Sequence, residues 1–73
     1  MIKHSLTISK HRTSISLEKD FWIELKIAAK ELNVSINFLV SKIDEERNIN
    51  NIGLSSSIRV WILRRLKSKK KFD

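Results

Sequence analysis

The chain contains no cysteine, and that absence removes disulfides, thiolate zinc sites and a cysteine nucleophile together. Histidine is nearly as scarce. His4 and His11 are too few to hold a structural metal, and neither has a second ligand at a telling spacing. The one glycine, Gly53, stands alone, so there is no glycine-rich loop to cradle a phosphate. No apolar run approaches the ~18–20 residues needed to span a bilayer. The start, Met1-Ile2-Lys3-His4-Ser5, lacks the apolar core and small-residue cleavage site of a signal peptide. The expectation is a cytoplasmic protein without metal or cofactor. With 73 residues it has room for one small domain spanning the chain. A monomer of that size is marginal without a disulfide, a metal or a partner chain, so oligomerisation is the expected aid to stability.

What is present is positive charge, unevenly placed. The net charge is +7, and residues 1–17 hold Lys3, Lys10 and Arg12 with no acid. The middle, 18–47, is slightly acidic. Residues 59–73 hold Arg59, Arg64, Arg65, Lys67, Lys69, Lys70 and Lys71 against Asp73 alone. Basic ends around a near-neutral middle suit a chain whose particular faces meet a polyanion, although solubility and a solvated tail would give the same balance.

His11-Arg12-Thr13-Ser14-Ile15-Ser16-Leu17 alternates as a half-buried strand does. Thr13, Ile15 and Leu17 share one face, while Arg12, Ser14 and Ser16 share the other and offer a guanidinium and two hydroxyls. A lone strand cannot satisfy its own backbone, so it needs a partner. Ser5-Leu6-Thr7-Ile8-Ser9 also alternates and could supply one by turning at Lys10-His11. That pair is a poor two-residue turn, and a free arm over residues 1–9 is the alternative.

Three helices are predicted after the strand, at about 19–32, 35–46 and 55–67, with a basic tail at 68–73. Phe21, Trp22, Leu25, Ala28, Ala29 and Leu32 recur at helical steps. Asn33 can end that helix in the left-handed conformation. Ser35 caps the second helix, whose apolar face is Ile36, Leu39, Val40 and Ile43, with Phe38 near the edge. Asp44-Glu45-Glu46 oppose the dipole in its last turn, where fraying is expected. The stretch 48–53 reads as a loop. Ser55 or Ser56 caps a third helix with Ile58, Trp61, Ile62 and Leu66 inward.

Nothing here resembles an active site: no serine sits beside a base, and the carboxylates fall on helix surfaces. Binding is better supported. A two-stranded ribbon fits the major groove of B-DNA, and Arg12, Ser14 and Ser16 could reach base edges; the bland reading makes them the wet face of an ordinary sheet. Ser35 could offer a helix N-terminus to a phosphate or simply cap. Trp22 and Trp61 read as core rather than as stacking platforms.

The order strand, helix, tight turn, helix resembles the ribbon-helix-helix DNA-binding family, of which the Arc and methionine repressors are members. The segments HRTSISLE, Phe21-Trp22 and LSSSIR with Leu63-Arg64 resemble a small bacterial subfamily with an added third helix. The resemblance implies a mainly α fold with a short N-terminal strand. It further implies an intertwined homodimer in which each protomer gives one strand to an antiparallel ribbon. Arg12, Ser14 and Ser16 then fall on the base-reading positions. Ser35 and Asn37 match the start of helix two that grips phosphate, with Lys10 as a further phosphate contact. Lys19 stands where the family often has proline, and Asn33 where it has glycine. The implied function is a non-enzymatic transcriptional regulator bound to double-stranded DNA and so to the nucleoid. The alternative is a protein-interaction or antitoxin-like dimerisation module. A basic amphipathic helix at 55–71 lying on a membrane is a third reading, outweighed by core packing.

Overall fold

The computed structural model describes residues 1–8, 10–50 and 53–69, with 47–50 described by their backbone alone. Two strands, β1 (Ile2–Ile8) and β2 (His11–Leu17), precede three helices, α1 (Lys19–Leu32), α2 (Ile36–Asn50) and α3 (Leu54–Lys69).

β1 and β2 form a two-stranded antiparallel sheet in register from Ile2↔Leu17 to Ile8↔His11. The strand at 11–17 therefore finds its first partner within its own chain rather than in a copy of itself. The arm reading of residues 1–9 gives way to a strand, because alternation extends back to Ile2. The connection is not at Lys10-His11, since His11 already pairs with Ile8. Lys10 takes φ 69° in the turn, a left-handed conformation unusual for a residue with a long side chain. Ser9 lies outside the described residues.

Period-two patterning places Leu6, Ile8, Ile15 and Leu17 on one face, all buried, with Thr13 and His4 half-buried beside them. The helices close over that face. α3 packs on α2, α1 and β2, while α2 also packs on β1. Leu25, Ala28 and Ala29 of α1, Leu39, Val40 and Ile43 of α2, and Ile58 and Ile62 of α3 complete the core. Phe21, Trp22 and Trp61 lie partly buried against it. Ile58 and Ile62 give the inner face of α3 to this core, and among the described residues no helix is long and apolar enough to cross a membrane.

α1 ends at Asn33, whose φ of 58° and ψ of 44° turn the chain left-handed. Asn33 N–H donates to the Lys30 carbonyl and Val34 N–H to the Ala29 carbonyl, which satisfies the last turn in the manner of a glycine cap.

α2 continues to Asn50 through the acidic run and into the stretch that reads as a loop. Dipole penalties at exposed positions are only ~0.3–1 kcal/mol, and Lys42 lies 3.9 Å from Glu45. Residues 51 and 52 of that loop lie outside the described residues, as do 70–73 of the tail. α3 begins at Leu54 rather than after a cap at Ser55 or Ser56, with Ser57 N–H donating to the Gly53 carbonyl; Ser55 and Ser56 sit inside the first turn. Ser57 is buried where no apolar pattern points to it, and Leu32 and Leu66 are 46% and 37% exposed rather than inward. Each lies at the end of its helix stripe.

Candidate nucleic-acid interface

The sheet's second face is polar throughout. Arg12 and Ser14 are exposed and Ser16 half-exposed on β2; Lys3, Ser5 and Thr7 are exposed on β1. The register sets Lys3 opposite Ser16, Ser5 opposite Ser14 and Thr7 opposite Arg12. The hairpin thus presents two cations and four hydroxyls in two rows, without a carboxylate. Arg12, Ser14 and Ser16 share the face that alternation assigns to them. Sequence reasoning leaves the β1 row without a role because its strand is in question there, although the three-hydroxyl alternation of Ser5, Thr7 and Ser9 is a signal for it.

Ser35 and Asn37 are both exposed at the start of α2. Phe38 N–H donates to Ser35 Oγ at 3.0 Å, so Ser35 does cap the helix. Its hydroxyl proton and the Asn37 amide remain as outward hydrogen-bonding groups. Lys10, exposed at the hairpin tip, lies at the end of β2 near Arg12.

The basic residues of α3 are arranged differently. Arg59 Nε donates to Glu18 Oε1 at 2.8 Å, joining the two segments that carry the family resemblance, HRTSISLE and LSSSIR. Its guanidinium also lies 6.0 Å from the Phe21 ring centre. At the other end Glu31 accepts from Arg65 at 2.5 Å and from Lys69 at 2.9 Å. The Arg59 hydrogen bond, helped by the backbone, holds the Glu18 carboxyl below its ordinary value. Hydrogen bonds from Lys69 and then Arg65 do the same for Glu31. Glu18 occupies the N-cap position of α1 without a side-chain cap bond; its carboxylate is turned to Arg59 instead.

Neither tryptophan is a free stacking platform. His4 stacks on Trp22 with ring centres 3.6 Å apart and planes 9° from parallel, and Arg65 lies 5.8 Å from the centre of Trp61. Among the described residues no group of His, Asp and Glu is placed to hold a metal.

No curated protein and no solved structure matches the chain. The family described as "Ribbon-helix-helix domain" matches residues 1–66, which takes in both strands, α1, α2 and most of α3. By that match the chain belongs to the ribbon-helix-helix domain family, a non-enzymatic fold whose members are generally DNA-binding transcriptional regulators or antitoxins.

Proposed function

We propose that this protein is a homodimeric, cytoplasmic transcriptional regulator that inserts a β-ribbon into the major groove of double-stranded DNA. The observation that carries the reading is the acid-free outer face of the hairpin, where Arg12 is exposed and meets no carboxylate among the described residues. Arg12 would read a guanine edge by a bidentate contact, and Ser14 and Ser16 would hydrogen-bond neighbouring bases with less selectivity. Ser35, Asn37 and Lys10 would bind backbone phosphate, setting orientation and supplying much of the affinity.

The open edge of β2 supports the dimer. In a two-residue hairpin the loop-flanking pair, Ile8 and His11, exchanges backbone hydrogen bonds, and such pairs alternate along the ladder. Thr13, Ile15 and Leu17 then bond to β1, while the N–H and C=O groups of Arg12, Ser14 and Ser16 point away from it. A second copy of β2 would satisfy them and double the reading face. On α1, Ile23 and Ile27 are 37% and 43% exposed, one helical turn apart, apolar surface that a second copy could cover.

The test is selection of bound duplexes from a random pool, followed by affinity measurements across salt. A symmetric or repeated motif, with affinity falling steeply from low to moderate salt, is expected. A folded protein that captures no duplex even at low salt would sink the reading and favour the protein-interaction or antitoxin-like role.

A further inference from the structure

The outer face of β1 has no counterpart in a ribbon made of one strand per protomer, and its place relative to DNA follows from width. Joining two hairpins through their β2 edges gives the strand order β1-β2-β2-β1. Neighbouring strands lie about 4.8 Å apart, so the axes of the two outer strands are separated by about 14 Å. The major groove is about 12 Å wide. In such a dimer the central pair of β2 strands would enter, and the β1 strands would stay outside, over the two phosphate walls.

We infer that Lys3, Ser5 and Thr7 of β1 form a phosphate-contacting strip that flanks the reading strand on each side. This rests on the dimeric reading above. The residue types suit the position, since an ammonium and two hydroxyls are all phosphate hydrogen-bond donors. All three are exposed, all three share the outer face with Arg12, Ser14 and Ser16 through the observed register, and no carboxylate interrupts the row. Lys3 supplies the charge and, by symmetry, does so twice in a dimer. β1 therefore adds affinity without adding sequence information, whereas β2 supplies the reading. An isolated hairpin entering the groove would instead bring both strands to the bases, and Lys3 would read sequence.

Lys3→Ala and Lys3→Arg variants of the full chain, checked for unchanged folding by circular dichroism, separate these cases. For Lys3→Ala the slope of log affinity against log salt should flatten by about two for the dimer, roughly 0.9 for each phosphate that is no longer neutralised. The motif recovered from random duplexes should stay the same, and Lys3→Arg should restore the wild-type slope. An altered base preference in Lys3→Ala would place β1 inside the groove and overturn the inference. An unchanged slope would overturn it equally. Either result leaves DNA binding by the wild-type protein standing, whereas a wild-type protein that binds no duplex defeats the parent reading.

Discussion

The hairpin face and the outer surface of α3 are both basic, yet their cations meet different fates. On α3, Arg59 is held by Glu18, and Arg65 and Lys69 are held by Glu31. On the hairpin, Lys3, Lys10 and Arg12 are exposed and meet no carboxylate among the described residues. Charge already matched by a carboxylate does little for a polyanion, because binding one would first have to break the pair. Net charge alone would rank α3 as the more basic surface. Pairing engages three of the five cations of α3 and leaves Arg64 and Lys67 exposed, whereas all three hairpin cations stay unmatched among the described residues, on the surface proposed for DNA.

The largest effect should come from the core beneath both regions. Ile62 is 2% exposed, and Ile62→Ala should cost about 2–5 kcal/mol through the cavity it leaves. Denaturant unfolding would measure that loss. If α3 were a dispensable appendage, the change would be near zero.

Arg12→Ala should cost on the order of 1–3 kcal/mol of discrimination at one base position while leaving thermal stability close to wild type. Arg65→Ala should behave in the opposite sense, lowering the melting temperature slightly and leaving base preference intact. Competition binding with single-base operator variants, alongside thermal melts, tests both. A swap of those two phenotypes would break the contrast between the surfaces.

Lys10 sets stability against binding at one residue. Its φ of 69° suits asparagine better than lysine, so Lys10→Asn should stabilise the hairpin by about 0.5–1 kcal/mol. The same variant should give up its phosphate and reduce the salt slope by roughly 1 for each copy. Gain in stability with no change in slope would remove Lys10 from the interface.

The smallest effect concerns acid. Glu18 and Glu31 have folded-state pKa values below the ordinary 4.5. Each therefore contributes stability above that value and loses it as pH falls through the depressed folded value. Both carboxylates are exposed, so solvent screens much of the effect. Melting temperatures measured from pH 7 to pH 3 should fall less steeply over the acid range for Glu31→Gln than for wild type. Parallel profiles would show that the Glu31 cluster does not anchor α3.

Much of the fold is legible locally. Strict alternation from 11 to 17 separates Ile15 and Leu17 from Arg12, Ser14 and Ser16, and the structure has the same partition. Three-four spacing marks the buried apolar residues of each helix, and Asn33 marks the end of α1. Local signals misplace the ends of the other helices. Asn48 and Asn50 favour turns weakly enough for α2 to run through them, and the serines near 55 are as compatible with a first helical turn as with a cap.

The candidate site is only half legible in the same way. Side-chain alternation is a property of the backbone, so the sequence by itself determines which residues of a strand share a face. It cannot determine what lies beside that strand, and only the folded hairpin sets Lys3, Ser5 and Thr7 against Ser16, Ser14 and Arg12. Nor can it determine which cations are already matched. Arg59 meets Glu18 across 41 positions and Arg65 meets Glu31 across 34, partnerships made by packing α3 against the β2–α1 junction and α1. Spacing along the chain carries no trace of them, and they decide which cations the fold has already engaged.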